Sequence, residues 1–317
     1  MLAKLFDNKF MRPTKRSFVR MVAVRRGSRT ILNKYYGLLG DNSRARFHAR
    51  YSKIFCEKTM QLANGTWNVR FANRTIILPL RSAWSWLDWD SAVSLIGHDI
   101  EIKQTYATLI NSNQRPALFL DVGANYGMHS ILFLSAGIPV IAFEPNPDCL
   151  LYFQTVCDMN GLSGHWEQVA IGNRTGQIEL VYPEKETWLG SICPEVIEVI
   201  SGLKNSKGII SRKVQLRALD EYLRGVPCEN VLMKIDVEGA EKEVLQGASK
   251  LLNHCRPKII FESYDANTRD ELFRLIEQFE YSVHALPWRP SVASRSLGVD
   301  EFRASTAANF IAIASNT

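Results

Sequence analysis

The sequence predicts an α/β protein with a doubly wound, mainly parallel sheet and an N-terminal extension. Three observations predict it: from residue 116 onward short apolar runs alternate with helical stretches, several of these runs end at an acidic residue, and a glycine-rich turn follows the first run. Strands that alternate with helices pair in parallel, and the helices then cover both faces of the sheet.

Apolar runs predict the strands, and apolar residues at helical spacing predict the helices. Alternation around Ala72-Asn73 first predicts a hairpin of Trp67–Phe71 with Arg74–Leu80. The elements expected after it are strand Ala117–Leu120, a helix to Ala136, strand Pro139–Phe143, helix Asp148–Asn160, strand Trp166–Ile171, an added strand within Gly172–Val181, strand Val231–Ile235, helix Ala240–Leu252, strand Lys258–Phe261, helix Thr268–Glu280, and strands Tyr281–Leu286 and Asn309–Ala314. Residues 183–212 are predicted to be an irregular insertion that faces the substrate.

The composition, 317 residues with 46% hydrophobic and 22% charged, is that of a globular protein and excludes a disordered chain, a collagen-like fibre and a coiled coil. Six cysteines without C-x-x-C spacing argue against a disulfide framework or a zinc ribbon. No apolar run approaches the ~18–20 residues of a membrane helix, and no secretory h-region follows the first charges. We therefore expect reduced thiols and a cytoplasmic protein, with peripheral membrane attachment as an alternative.

Positive charge is concentrated near the N-terminus. Residues 1–60 hold 15 Lys and Arg against 3 Asp and Glu, whereas residues 61–317 hold 23 against 29. The alternatives for this arm are a solvated extension, docking on an anionic surface such as phospholipid headgroups or an acidic glycan, and RNA contact; a mitochondrial presequence has a similar composition. We expect three regions: the arm 1–60, an accessory region 61–110 and a main domain 111–317.

A glycine-rich turn, Asp121-x-Gly123-x-Asn125-x-Gly127, joins the first strand to its helix. Glycine lets a backbone bend and approach a ligand closely, and Asn tolerates a left-handed conformation. Asp121 can attract an ammonium group, and Glu144, at the end of the second strand, can accept hydrogen bonds from a ribose diol. A nicotinamide dinucleotide needs bare amides for its pyrophosphate, which an acid would repel. The turn therefore favours S-adenosylmethionine over NAD.

Five segments resemble the FkbM-type methyltransferases, a branch of the class I S-adenosylmethionine-dependent fold. They are Asp121–Gly127, Ala142–Pro147, Asn160-Gly161, Ala170–Asn173 and Lys234–Ala248. The resemblance covers roughly residues 115–285 and implies a seven-stranded sheet whose last strand is antiparallel. It also implies methylation of hydroxyl groups on sugars or on polyketide natural products.

The resemblance also implies roles for individual residues. The methionine part of the cofactor is assigned to the turn with Asp121, Gly123, Ala124, Asn125 and Gly127, the ribose to Glu144, and the adenine edge to Asn146, Ala170 and Ile171. Asp236 and Glu238 are expected to face the transferred methyl group and the acceptor.

Methyl transfer to a hydroxyl needs a group that takes the proton, and a buried carboxylate suits this task. For Asp236 three roles stay open: general base, hydrogen-bond anchor of the acceptor, or, as for Glu238, a partner of backbone amides. Lys234 is interpreted as a structural partner of a nearby acid, and His129 as a structural histidine or a fallback base. Glu262 either lines the acceptor pocket or lies on the surface; with Asp236 and Glu238 it could gather Mg²⁺, but no metal is expected.

The expected activity is O-methylation of a glycan or another polyhydroxylated small molecule by in-line transfer with a carboxylate base. One alternative is an RNA methyltransferase that uses the basic arm, and another is a non-catalytic nucleotide-binding module. Base-methylating enzymes place an Asn-Pro-Pro-Tyr type motif where this chain has Asp236-Val237-Glu238-Gly239, so nucleic acid is not an expected partner. The sequence leaves the oligomeric state open.

Overall fold

A computed structural model describes residues 65–80, 98–184, 187–202, 208–227, 229–264, 266–290 and 294–315, with isolated residues between 27 and 43. The chain divides into two compact units, Met1–Ile100 and Glu101–Thr317. Most of the basic arm lies outside the described residues, so its role and the three-part division of the chain stay predictions. In the described part of the chain, no helix has the length and apolar character needed to cross a membrane.

The first unit contains the predicted hairpin. Strands β1 (Gly65–Phe71) and β2 (Arg74–Leu80) pair antiparallel, with Phe71 opposite Arg74. The two connecting residues, Ala72 and Asn73, both have positive φ (44° and 65°), which is the geometry that two-residue hairpin loops favour. The period-two pattern buries one face of the hairpin, formed by Val69, Phe71, Ile76 and Leu78.

The second unit is an α/β domain. Its strands are β3 (Leu118–Val122), β4 (Val140–Phe143), β5 (His165–Glu167), β6 (Ala170–Gly172), β7 (Gly176–Pro183), β8 (Ile209–Ala218), β9 (Val231–Ile235), β10 (Lys258–Glu262), β11 (Tyr281–Ala285) and β12 (Asn309–Ala314). Its described helices are α1 (Ile100–Ile110), α2 (Met128–Ser135), α3 (Pro147–Asn160), α4 (Pro194–Gly202), α5 (Glu241–Gly247), α6 (Ser249–Cys255), α7 (Ala266–Gln278) and α8 (Val299–Ala304).

Seven strands form the main sheet in the spatial order β11-β12-β10-β9-β3-β4-β5. Strand β12 is antiparallel to both of its neighbours, and the other pairs along the sheet are parallel. The predicted seven-stranded, mainly parallel sheet with an antiparallel last strand is therefore confirmed. The chain runs outward from β3 to β4 and β5 and later returns to β9 on the other side of β3. The strand order thus reverses between β3 and β9, where ligands of such sheets bind.

The central strands β3 and β9 are buried at every position, as expected for parallel strands covered on both faces. Helix α3 shows how the sequence fixes a helix. Asn146 caps it by accepting a hydrogen bond from the Asp148 N–H, Pro147 occupies its first turn, and Gly161 ends it in a left-handed conformation. The strand ends around β3 are therefore held by a close-packed core.

The expected strand Trp166–Ile171 is wrong in extent. Residues His165–Glu167 belong to the main sheet, but Ala170–Gly172 pair with β8 in a second, three-stranded sheet of order β6-β8-β7. The break lies at Val169, whose N–H donates to the Glu167 carbonyl and forms a tight turn between the two sheets. Part of the expected irregular insertion is also regular, because helix α4 and the start of β8 fall inside residues 183–212.

The expected helix Ala240–Leu252 is two helices, α5 and α6, that meet at Ala248. The carboxylate of Asp220 accepts the N–H groups of Lys250 and Leu251 at 3.0 and 2.9 Å. Satisfying the free amides of a first turn stabilises a helix start at that place. Helix α7 likewise begins at Ala266, two residues before the predicted start.

Candidate functional site

The glycine-rich turn lies where the strand order of the sheet reverses. Its backbone packs closely against neighbouring parts of the same chain. Gly123 (φ 80°) passes so close to the turn after β9 that a Cβ atom there would lie 1.8 Å from the Asp236 carbonyl oxygen. A Cβ atom at Gly127 (φ 71°) would lie 2.2 Å from the ring of Phe153. Asn125 adopts the expected left-handed conformation with φ 47°. The two glycines are therefore required by close packing as well as by backbone conformation.

The backbone amides of this turn are used inside the protein. The N–H groups of Gly123 and Ala124 donate to the Phe143 carbonyl, that of Gly127 to the Ala124 carbonyl, and that of Asn125 to Glu144 Oε2. A pyrophosphate needs such amides free. The turn is thus unsuited to a dinucleotide.

Asp121 ends β3 and is fully buried. Its Oδ2 atom accepts hydrogen bonds from the Ser130 hydroxyl at 2.6 Å and from the Ser130 N–H at 3.0 Å. Its Oδ1 atom has no hydrogen-bond partner in the described part of the chain. Burial raises the pKa of Asp121, although the Lys234 ammonium opposes the shift. A buried carboxylate oxygen without a partner is costly, so it marks a place where a ligand donor fits.

Glu144 directly follows β4 and is also buried. Its two oxygens accept the backbone N–H groups of Asn125 (2.9 Å) and Asn146 (2.8 Å), so the carboxylate joins the glycine-rich turn to the cap of α3. Burial raises the pKa of Glu144 to about 7, against the effect of these two hydrogen bonds. The Nδ2 atom of Asn146 is buried without a hydrogen-bond partner among the described residues. Each carboxylate oxygen retains a further lone pair for a hydroxyl donor.

The turn after β9 contains the two residues predicted to be catalytic. Here Glu241 takes the role of binding backbone amides, since its Oε1 accepts from the N–H groups of Val237 (3.3 Å) and Gly239 (3.2 Å). Glu238 has a left-handed backbone with φ 51°, and no side-chain hydrogen bond to it occurs in the described chain. Glu241 therefore binds backbone amides in this turn, and the roles of Asp236 and Glu238 stay predictions.

Three carboxylates gather at the ends of the neighbouring strands β9 and β10. One oxygen from each of Asp236, Glu238 and Glu262 lies within 4.8 Å of the other two. The buried ammonium of Lys234 contacts Asp236 Oδ2 at 2.6 Å, which agrees with its interpretation as a structural partner. Burial and the neighbouring Asp236 raise the pKa of Glu238 to about 8 and that of Glu262 to about 9. We call Asp236, Glu238 and Glu262 the acidic cluster.

Three other residues named in the sequence analysis lie on β6 and α2. Ala170 and Ile171 are buried in β6 of the second sheet, so an adenine could approach their backbone more readily than their side chains. His129 Nδ1 lies 3.1 Å from the Tyr106 hydroxyl, as in the structural interpretation of this histidine.

Residues 187–191, inside the insertion 183–212 that the sequence predicts to face the substrate, contact both sides of the site. The Thr187 hydroxyl lies 3.1 Å from the Tyr126 hydroxyl and 3.4 Å from Asn125 Oδ1. The Ser191 hydroxyl donates to the Glu238 carbonyl at 2.7 Å. This segment therefore links the glycine-rich turn to the acidic cluster. Its place in the insertion was the only sequence signal for this position, because the insertion contains no recognisable motif.

The sheet order, the antiparallel last strand and the glycine-rich turn after the first parallel strand are those of the class I Rossmann-like methyltransferase fold. The family model described as the methyltransferase FkbM domain matches residues 121–284. The chain therefore belongs to the FkbM methyltransferase family and is a methyltransferase.

Individual proteins are more distantly similar. "Methyltransferase sdnD" of Sordaria araneosa is 27% identical over 199 residues, which are 54% of this chain and 76% of that protein. The solved structure of a methyltransferase FkbM from Methylobacillus flagellatus KT is 15% identical with a TM-score of 0.39, and the match covers 76% of this chain but only 56% of that one. A SAM-dependent methyltransferase from Agrobacterium tumefaciens is 10% identical with a TM-score of 0.37, over 81% of this chain and 72% of that one.

Proposed function

We propose that this protein transfers a methyl group from S-adenosylmethionine to a hydroxyl oxygen of a glycan or another polyhydroxylated small molecule. The observation that carries the proposal is the acidic cluster beside the glycine-rich turn, with Gly123 packed directly on the Asp236 carbonyl. The site thereby combines residues suited to a cationic nucleoside with carboxylates suited to a hydroxyl acceptor.

The residues present fit this cofactor. Asp121 Oδ1, buried and without a hydrogen-bond partner among the described residues, suits the ammonium of an amino-acid moiety. The Glu144 carboxylate suits a ribose diol, and the occupied amides of the turn disfavour a pyrophosphate. Bound S-adenosylmethionine supplies an electrophilic methyl group on its sulfonium.

The chain has two tasks in this chemistry. Asp236 and Glu238 hold the acceptor hydroxyl in line for attack, which removes most of the entropic cost of the encounter. One of these carboxylates takes the hydroxyl proton as the new O–C bond forms and the S–C bond breaks.

The experiment is incubation of the full chain with S-adenosylmethionine labelled in its methyl group, together with monosaccharides, a glycan extract or total RNA. We expect label in the carbohydrate arms that survives mild alkali, because methyl ethers are stable where methyl esters hydrolyse. Label in RNA alone would replace this proposal with an RNA methyltransferase. Label in no arm would contradict the assigned acceptor class.

We also propose that the basic arm docks the enzyme on anionic lipid, because residues 1–60 carry a large excess of Lys and Arg. Each basic residue near such a surface contributes about 1 kcal/mol. Binding to vesicles with anionic lipid should therefore exceed binding to neutral vesicles and weaken with salt. Replacing Arg25 and Arg26 by Glu should weaken it about tenfold or more, whereas the same change at Lys213 and Arg224 should not.

A further inference from the structure

If all three carboxyl groups of the acidic cluster were ionised, their negative charge would exceed the positive charge of the Lys234 ammonium that contacts them. The groups that face Glu262 are Asp236 and Glu238 from the turn after β9, and Lys234 from β9 itself. Asp121 and Glu241 lie behind them and interact with Asp236. In the part of the chain that the structure describes, Lys234 is the cation that contacts the cluster. Three ionised carboxylates within 4.8 Å of one another would repel strongly.

A shared proton relieves this repulsion, and the geometry indicates where it resides. Glu262 lies at the end of β10, directly beside β9, with a carboxylate oxygen in reach of Asp236. Asp236 already accepts a hydrogen bond from the Lys234 ammonium on Oδ2 at 2.6 Å. Burial and Asp236 raise the pKa of Glu262 to about 9. Glu262 is therefore the carboxyl group of the pair that is suited to donate a proton in a hydrogen bond.

We propose that Glu262 is a positioning residue for Asp236, because its carboxyl group donates a hydrogen bond that, together with Lys234, fixes the orientation of the Asp236 carboxylate. This inference rests on the proposed function for its catalytic consequence. Two donors from neighbouring strands occupy two of the roughly four lone-pair directions of Asp236 and leave the others for the acceptor hydroxyl. Ionisation of Glu262 replaces a hydrogen bond with repulsion and releases that orientation.

The first test needs neither cofactor nor acceptor. The free energy of unfolding is measured in urea between pH 5.5 and 9.5 for the wild type and for Glu262→Gln, whose amide keeps a donor but cannot ionise. The unfolded chain loses the Glu262 proton near its ordinary pKa of about 4.5, whereas the folded chain keeps it until about 9. The wild type should therefore lose stability relative to Glu262→Gln as pH rises, by up to tenfold in the unfolding constant per pH unit.

The partner of that proton is tested by making the same replacement in the Asp236→Asn background. Without the Asp236 carboxylate, the pKa of Glu262 should be lower, so the free energy of unfolding should fall less steeply over this pH range. Glu243→Gln, in the first turn of α5 and outside the acidic cluster, is the matched control and should show no such slope. A stability difference that is flat with pH, or a slope unchanged by Asp236→Asn, would overturn the proposal.

The second test uses the acceptor found by the labelling assay. The wild-type kcat/KM should fall above about pH 9, and Glu262→Gln should lack this fall. Glu262→Gln should also be at least tenfold more active than Glu262→Ala, because only the amide replaces the donor. An equal loss at every pH in both variants would indicate a merely structural role and overturn the positioning role.

The stability test and the activity test can fail independently of each other. If no acceptor takes label but the stability slope and its dependence on Asp236 are present, the proposed function fails while the hydrogen bond between Glu262 and Asp236 stands. Addition of MgCl2 to the urea experiment gives a further outcome. A stabilisation by Mg²⁺ that Glu262→Gln abolishes would show a cation in place of the proton and would overturn the proposal.

Discussion

At the scale of single residues, the site depends on carboxylates that have different neighbours. Asp121 uses one oxygen to hold the start of α2 through Ser130 and keeps the other without a hydrogen bond in the described chain. Asp236 is held by Lys234, whereas Glu241 is engaged by backbone amides. Identical side-chain chemistry thus serves a proposed ligand site, a proposed reactive group and an observed partner of backbone amides, depending on which donors face each carboxylate.

Replacing Asp236 by Asn should lower turnover by about 10²–10⁴-fold, because the amide cannot take the acceptor proton. Cofactor affinity should stay within about threefold, since the cofactor is assigned to Asp121 and Glu144. Initial rates with labelled S-adenosylmethionine and calorimetric titration with S-adenosylhomocysteine measure the two quantities. Glu243→Gln is the control, because it changes an acid in the first turn of α5 that has no assigned role. Normal turnover of Asp236→Asn would contradict the catalytic assignment.

Replacing Gly123 by Ala should destabilise the fold by roughly 2 kcal/mol or more, because φ is positive and the new Cβ would meet the Asp236 carbonyl at 1.8 Å. Urea unfolding measures the loss. The control is Gly225→Ala, where an added Cβ meets nothing within 4 Å. Equal stability of the two variants would show that the turn does not pack on Asp236 as described.

At the scale of elements, backbone hydrogen bonds decide where helices and strands end. The turn at Val169 moves the chain from the main sheet to the second sheet between β5 and β6. The carboxylate of Asp220 starts α6 immediately after α5. The first boundary depends on a single local turn, and the second depends on a side chain that is distant in sequence. The apolar pattern continues across both boundaries and therefore predicts neither of them.

Replacing Asp220 by Ala should cost about 1 kcal/mol of stability, the usual cost of removing a helix cap. The N–H groups of Lys250 and Leu251 would lose their acceptor and the start of α6 would fray. Urea unfolding gives the cost, and hydrogen exchange of these two amides locates it. The exposed Asp158 in α3 is a matched control, and faster exchange in Asp158→Ala as well would argue against a specific cap.

At the scale of the whole molecule, the topology brings acids from four strands to one edge of the sheet. The ends of β3, β9 and β10 carry Asp121, Asp236 and Glu262, and β4 adds Glu144 beside them. Because the carboxyl ends of parallel strands lie at the same edge, burial and mutual repulsion raise the pKa of several of these groups together. A cationic ligand at this edge would relieve the repulsion.

The stability of the whole protein should accordingly depend on pH through Glu144. Its pKa is raised to about 7, so between about pH 4.5 and 7 the folded state holds a proton that the unfolded state has lost, and stability falls as pH rises. Relative to Glu144→Gln, the loss should be at most about 3 kcal/mol, since one pKa unit corresponds to about 1.4 kcal/mol. Urea unfolding at several pH values measures it. A wild type that gains stability relative to Glu144→Gln as pH rises would contradict the burial of a proton on Glu144.

Local patterns in the sequence determined the strand and helix types, the glycine-rich turn and its left-handed Asn125, because apolar periodicity and backbone sterics act over a few residues. The same patterns placed Asp121, Glu144 and Asp236 at strand ends. Only the tertiary structure decided that β6 leaves the main sheet, that Asp220 divides a helix, and that Glu241 binds the backbone amides of the turn after β9. These outcomes depend on hydrogen bonds and charges between residues far apart in the chain, whose distances are set when the strands pair.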